Sequence, residues 1–418
     1  MKKNILCFLF AIGVFTSRAS EILIPMDESQ VNHLKAYGIA YWVLAQDVKV
    51  DWLLNYRGGS FGIPYVAAIE NECKVRGVSY EVVPDGTYGG ILADIASPEK
   101  NMDVMKLEKA PKIAVYTPKT KEPWDDAVTL VLSYAEIPYD KIFDDEVLDG
   151  KLVKYDWVHL HHEDFTGQYG KFYGSFRNAQ WYQDDVAEQE ATAKRRGFAK
   201  VSKMKLAVVH AIRDFVFNGG FMFAMCSAAD SYDIALAAEN TDICDVMFDH
   251  DPADPQAQSK LDYSQCFAFT NWHLRTNPME YAKSDIDVNE TRHVPMELDY
   301  FTLFDFSAKW DPIPTMLCQD HTKTIKGFLG QSTAFNKDFV KSNVLIMGQN
   351  KSANEARYIH GEYGKGLWTW YGGHDPEDYR HLVGDPPTNL DLHPNSPGYR
   401  LILNNVLFPA ARKKKQKT

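Results

Sequence analysis

Cysteine is scarce, with six in 418 residues. No two stand in C-x-x-C spacing, which argues against a zinc ribbon or a thioredoxin-like redox site. Basic charge is also short, since 45 Lys and Arg face 56 Asp and Glu, a formal net charge of −11. An acidic surface excludes a nucleic-acid scaffold, which needs basic stripes against phosphate. The lone basic run, residues 412–415 with Lys417, reads as a solvated tail. Beyond the N-terminus no apolar run approaches the ~18 residues of a membrane span. There is no Gly-x-x-x-x-Gly-Lys loop, no internal repeat and no low-complexity segment beyond the tail.

What is present is an ordinary globular composition, 45% hydrophobic and 24% charged. Lys2 and Lys3 precede an apolar run over residues 5–15, and Ser17-Arg18-Ala19 places small residues at −3 and −1. Residues 1–19 are therefore expected to be a secretory signal, giving an exported protein, periplasmic or extracellular. Cys7 falls within that signal. The five remaining cysteines are an odd number, so at least one thiol stays free, either buried or chemically used.

Strand-like and helix-like runs alternate. Residues 22–25 are apolar; Val31, Leu34, Tyr37 and Tyr41 have helical spacing; residues 50–56 read as a strand, 64–75 as a helix and 78–83 as a strand. This β-α-β-α-β logic predicts a parallel N-terminal sheet over residues 20–105. After a charged connector, strands are expected at 113–116, 155–161, 221–225, 344–347 and 367–371. Helices are expected at 126–136, around Met204, Val208, Ile212 and Phe215, and at 399–407. Residues 239–342 lose the alternation and read as an irregular insertion, with 409–418 as the basic tail.

Three clusters can carry chemistry. The first is Gly219-Gly220-Phe221-Met222-Phe223-Ala224-Met225-Cys226-Ser227-Ala228-Ala229, where a buried strand delivers a cysteine to a small-residue turn before a helix. That setting suits a nucleophile with an oxyanion hole behind it, and equally a cysteine that fills a strand end. The second is Gly364-Lys365-Gly366-Leu367-Trp368-Thr369-Trp370-Tyr371-Gly372-Gly373-His374-Asp375-Pro376-Glu377. There His374 can serve as a base oriented by Glu377 or Asp375, or as a loop histidine bonded to a local carboxylate.

The third cluster is His159-Leu160-His161-His162-Glu163-Asp164. Period-two geometry places His159, His161 and Glu163 on one face and His162 with Asp164 on the other. That trio is a candidate zinc or manganese site, to be completed by Asp27, His374 or Asp375. Arg57-Gly58-Gly59-Ser60 reads as a tight loop or an anion nest. Asp249, Asp251 and Asp254 read as a surface loop or a weak calcium site. Nine Trp, 22 Tyr and 23 Phe suit sugar stacking as well as core packing.

Together, residues 111–117, 155–164, 219–229 and 364–377 resemble the class-I glutamine amidotransferase-like superfamily, most closely its ThuA-like branch. The resemblance covers residues 111–238 and 343–408. It implies a flavodoxin-like parallel sheet with helices on both faces. It also implies a Cys226, His374 and Glu377 arrangement acting on a small amide or carbohydrate-related ligand as an amide or ester hydrolase or acyl transferase. Ala224 and Ala228 replace the family's elbow glycines, and Asp375 interrupts its His-Pro-Glu. The chain also resembles exported bacterial proteins that carry the label asparagine synthetase B. It has neither the cysteine at the mature N-terminus nor the Ser-Gly-Gly-x-Asp-Ser loop of that reaction. The rival readings are a metal-dependent hydrolase or isomerase at His159, His161 and Glu163, and a non-catalytic glycan- or partner-binding protein.

Overall fold

The computed structural model describes residues 19–119 and 122–412. The expected signal therefore lies outside the described residues, apart from Ala19, and so does the tail beyond Arg412. The class is α/β.

The N-terminal segment runs β1 (Ala19–Ile24), α1 (His33–Ala45), β2 (Val50–Leu54), β3 (Ser60–Pro64), α2 (Ala67–Arg76), β4 (Glu81–Pro84), α3 (Asp85–Ala96) and β5 (Asp103–Leu107). Its strand order is β4-β1-β3-β2-β5, and every pairing is antiparallel. This corrects the expected parallel sheet. The cause is β3, which follows a tight loop in which Asn55, Arg57, Gly58 and Gly59 all have positive φ. That loop folds β3 back on β2 as a hairpin. β3 then sits between β1 and β2, splitting the pair that α1 connects.

A second, larger sheet follows. Its first part contains β6 (Ile113–Tyr116), α4 (Ala127–Tyr134), β7 (Asp140–Ile142), α5 (Asp144–Leu148), β8 (Trp157–Leu160), α6 (Tyr173–Phe176), α7 (Gln180–Arg195), α8 (Val201–Phe217), β9 (Phe221–Met225) and α9 (Ser227–Ala237). Short helices α10 (Val246–Asp249) and α11 (Ala257–Lys260) lead to β10 (Tyr300–Leu303), α12 (Pro312–Leu317), β11 (Thr324–Lys326) and β12 (Phe335–Asn336). The chain closes with β13 (Leu345–Asn350), β14 (Glu355–Tyr363), β15 (Gly366–Tyr371) and α13 (Pro397–Leu407). The order is β11-β10-β13-β14-β15-β9-β8-β6-β7, with β12 paired to β14. The five strands from β15 to β7 are mutually parallel, and the pairings from β14 to β11 are antiparallel. The expected insertion at 239–342 is thus partly regular, since β10, β11 and β12 extend this sheet.

Alternation along the parallel strands sorts two cores. Ile113, Val115, Trp157, Phe221 and Phe223 pack with α1, α4 and α13, while Ala114, Tyr116, Val158, Leu160 and Met222 pack with α8 and α9. The N-terminal sheet shares the first core through Ile22, Trp52 and Phe61. Layers therefore run sheet, helices, sheet, helices. At the C-terminus, Ala411 bridges Leu107 and the Arg412 N–H donates to Lys106 O at 2.8 Å. The backbone of the basic segment is thus anchored to β5 as far as Arg412.

Asp233 on α9 is fully buried and accepts the backbone N–H groups of Phe267, Ala268 and Phe269 at 2.5, 2.8 and 2.9 Å. Asp233→Ala would orphan three buried donors. It is expected to cost about 3 kcal/mol or more, read as a lowered midpoint in urea unfolding. His33 and His360 are buried, and burial holds their folded pKa values down at about 3 and about 4. Below the unfolded value of ~6.5 only the unfolded chain gains these protons, so stability falls as pH drops from there toward about 4. His360→Phe should flatten that part of a plot of melting temperature against pH; an unchanged slope would contradict the assignment.

Candidate metal centre

The candidate residues gather at the C-terminal ends of the parallel strands, where open α/β sheets bind ligands. β8 ends at Leu160, and the chain continues as His161-His162-Glu163 along the start of α9. The Ala228 N–H donates to His161 O at 2.9 Å, Ser227 Oγ to His162 O at 3.0 Å and Ser231 Oγ to Glu163 O at 3.1 Å. The first turn of α9 thus spends free donors on fixing the histidine segment. Beyond β15, the His374 N–H donates to Leu329 O at 2.9 Å. Gly330 allows that approach, since a Cβ there would lie 2.8 Å from His374 N.

Asp126 caps α4, accepting the Thr129 N–H at 2.8 Å. Its other oxygen lies 3.1 Å from His159 Nε2 and 3.2 Å from His161 Nδ1. Burial opposes its ionisation, but the two imidazoles together hold the carboxyl well below the usual range. His159 also bonds Phe223 O through Nδ1 at 3.2 Å, so both its ring nitrogens are engaged. His159 is in this way a structural partner of Asp126, with no nitrogen to spare.

His161, His162 and His374 differ. Their ligand atoms lie within 4.8 Å of one another and all three residues are buried. Ring centroids are 4.5 Å apart for His161 and His374, and 4.9 Å for His161 and His162. His161 Nδ1 is misaligned for a hydrogen bond with Asp126, and neither its Nδ1 nor its Nε2 has a hydrogen-bond partner; Nδ1 of His162 and Nδ1 of His374 also lack one. Burial, and for His374 the neighbouring histidines, push the pKa of His161 and His374 down, leaving neutral rings with available lone pairs. His162 Nε2 sits 2.8 Å from Glu122 Oε2. That carboxylate outweighs burial and raises the His162 pKa. The Trp124 indole N–H also approaches that Nε2, at 2.5 Å, so Nδ1 is free to ligate only in the tautomer that donates Nε2–H to Glu122 and leaves the Trp124 donor unaccepted. A carboxylate behind an imidazole is the usual support of a metal-bound histidine.

The expected trio of His159, His161 and Glu163 is not brought together. Strand geometry stops at Leu160, so alternation fails beyond it, and Glu163 groups with Glu122 and His162. Burial and the nearby Glu122 raise its pKa well above the carboxylate range. Among the proposed completing ligands only His374 joins. Asp27 is held by Arg57 at 2.7 Å, and Asp375 accepts Thr388 Oγ1 at 2.7 Å and the Glu377 N–H at 2.9 Å. His162, Asp126 and Glu122 were missed; the Asp-Asp-Ala helix start after the first parallel strand was the available signal for Asp126.

Cys226 stands at the turn from β9 to α9 with φ 53° and ψ −140°. Burial pushes the thiol pKa up, against backbone N–H groups of Ser332, Ser227 and Gln331 that favour thiolate. No hydrogen bond joins Cys226 to His374 or His374 to Glu377, and Glu377 pairs with His393 at 3.1 Å. The described cysteines, five in number, are all free and buried. Of the weaker candidates, Arg57 pairs with Asp27 and Glu81 in a tight loop whose Gly58 carbonyl accepts Arg400. Lys200 neutralises Asp249 and Asp251, and Lys260 pairs with Asp254 at 2.5 Å, so ammonium groups stand where calcium was considered.

A cavity of ≈ 1240 Å³ lies at the opposite end of the sheet beside Gly219, Phe221 and Lys365 and is lined by none of the histidines of the site. A cavity of ≈ 30 Å³, about one water's worth, adjoins His162 between Glu122, Glu163, Trp124 and Trp181. No helix among the described residues is long and apolar enough to cross a membrane.

No protein-family model matches the chain, and no curated protein matches it. Among solved structures, cytoplasmic protein STM3548 from Salmonella typhimurium is 11% identical over 72% of this chain and 100% of its own, with a TM-score of 0.36. Cytoplasmic protein STM1381 from Salmonella typhimurium LT2 has 11% identity, the same coverages and a TM-score of 0.34. The exo-β-1,4-mannosidase Op5Man5 from Opitutaceae bacterium strain TAV5 is 10% identical over 63% of this chain and 31% of its own, at 0.26. Likenesses this slight carry no functional argument.

A buried thiol with a raised pKa should resist alkylation. Iodoacetamide at neutral pH is expected to leave Cys226 unmodified in the native protein and to modify it after unfolding, read by peptide mass spectrometry. Rapid native labelling would contradict this.

Proposed function

We propose that the protein is a divalent-metal-dependent hydrolase whose metal is held by His161, His162 and His374. The observation that carries this is the convergence of three buried imidazoles, each with a ring nitrogen lacking a hydrogen-bond partner. Unpaired buried polar atoms cost free energy, and a cation shared by all of them removes that cost. Three histidines with an open fourth position suit zinc, which lowers the pKa of bound water and polarises a carbonyl or phosphoryl oxygen. Glu122 supports His162 from behind, and the Asp126 carboxylate lies 3.2 Å from His161 Nδ1. Glu163 lies beside His162 with Oε1 unpartnered, where it can exchange a proton with substrate.

The parallel strands β7-β6-β8-β9-β15 run, in chain order within that unit, 2-1-3-4-5. That is the flavodoxin-like order, and it supports kinship with the amidotransferase-like superfamily. The site falls where β6 and β8 diverge, the switch point of such sheets. A second reading keeps Cys226 as the nucleophile of an amidotransferase-like hydrolase, favoured by its strained elbow conformation and by the N–H groups around Sγ. Either reading is compatible with an exported enzyme.

Elemental analysis of chelator-free protein should find bound zinc, with one equivalent lost in His374→Ala. Hydrolysis of p-nitrophenyl acetate should fall at least 100-fold in that variant and stay within about twofold in Cys226→Ala. Protein without stoichiometric metal, or turnover abolished by Cys226→Ala alone, would overturn the metal reading in favour of the second.

A further inference from the structure

The cavity of ≈ 30 Å³ beside His162 has no assigned occupant in the proposed hydrolase. Its walls carry three carboxylates, Glu122, Glu163 and Asp185, and the rings of Trp124, Phe172 and Trp181. The loop before α4 brings Glu122 and Trp124, and the segment after β8 brings Glu163. Trp181 and Asp185 stand four apart on α7, so one helix face presents both. The rings pack on one another, with centroids 5.0 Å apart for Trp124 and Trp181, 5.4 Å for Trp124 and Phe172, and 5.7 Å for Phe172 and Trp181.

The carboxylates are short of donors. Glu122 has His162 Nε2 at 2.8 Å, and each oxygen of Asp185 accepts the Gln189 amide at 2.9 Å. Glu163 is 7% exposed, and its Oε1 has no hydrogen-bond partner. Among the described residues no Lys or Arg forms an ion pair with any of the three. Lys205 acts on Glu163 and Asp185 through space, but its ammonium is held by Asp144 at 3.0 Å and by the Tyr116 hydroxyl at 3.0 Å. Carboxylates taken out of water without a cation are costly, and burial pushes the Asp185 pKa up to about 6. The unpartnered Glu163 oxygen in the wall of a water-sized cavity points to a donor brought by a ligand.

We propose that this cavity binds a primary ammonium group, and that the hydrolase acts on amines at a bond close to that group. An ammonium is about the size of a water and carries three N–H donors for the three carboxylates. Aromatic rings around it attract a cation and keep water away. A guanidinium or a quaternary ammonium is too large for a cavity of one water. A hard divalent ion takes six or more oxygens, of which rings supply none. The substrate class rests on the hydrolase reading, because the cavity adjoins His162. The ammonium site itself rests on the residues of the cavity.

The test is isothermal titration calorimetry of the full-length protein with ethylammonium chloride, with ethanol as the neutral analogue of similar size. Wild type should bind one ethylammonium per chain, about tenfold or more tighter than ethanol. Glu163→Gln and Asp185→Asn, which keep the side-chain shapes, should each weaken that binding about tenfold. No ethylammonium binding, equal binding of ethanol, or unchanged affinity in both variants would overturn the proposal. A second arm compares glycine p-nitroanilide with p-nitroacetanilide, which lacks only the ammonium. Wild type should prefer the first about tenfold in kcat/KM, and Asp185→Asn should lose the preference. Ethylammonium binding with equal turnover of the two anilides would overturn the substrate assignment. Ethylammonium binding by a protein that hydrolyses neither anilide nor p-nitrophenyl acetate would support the site and remove the hydrolase. Hydrolysis of p-nitrophenyl acetate without ethylammonium binding would overturn the site and leave the hydrolase standing.

Discussion

The site depends on one buried carboxylate. Asp126 caps α4 with one oxygen and turns the other to His159 and His161. A carboxylate taken out of water is costly unless paired, and here His159 of β8 and the nearby His161 supply the pairing while the helix N-terminus adds favourable field. The same contact ties the first βα unit of the parallel sheet to the next strand. It therefore fixes both where α4 begins and how the His159 ring is turned.

Much of this organisation was legible in the sequence, and the failures share physical causes. β6, β8, β9, α8 and α13 were readable because buried parallel strands are apolar throughout and helices repeat every 3.6 residues. β14 was missed because Glu355, Arg357 and His360 give it a polar look. In the fold Arg357 pairs with Asp299, Glu355 pairs with Arg292, and His360 bonds Thr369, so the strand is buried with its charges satisfied. β3 was hidden behind a glycine loop, and missing one strand turned an antiparallel sheet into an expected parallel one.

At the site, Cys226, His161 and His374 were singled out from residue type and position alone. Glu163 was placed wrongly because alternation was carried past Leu160, where the strand ends and the chain bends along α9. His162 was lost by the same step. Glu122 lies in a connecting loop, and loop residues acquire neighbours only when the fold closes, so spacing gave no warning of it.

The result is a cluster at the C-terminal ends of the parallel strands where buried imidazole nitrogens lack hydrogen-bond partners. Buried polar atoms are normally satisfied, so a cluster of orphans in one place points to something the chain is built to hold. Zinc-edge X-ray absorption on the zinc-loaded full-length protein tests that claim most directly. The three-histidine centre predicts about three imidazole nitrogens at ~2.0 Å and no sulfur in the coordination shell. A sulfur at ~2.3 Å, or a shell of oxygen alone, would contradict it.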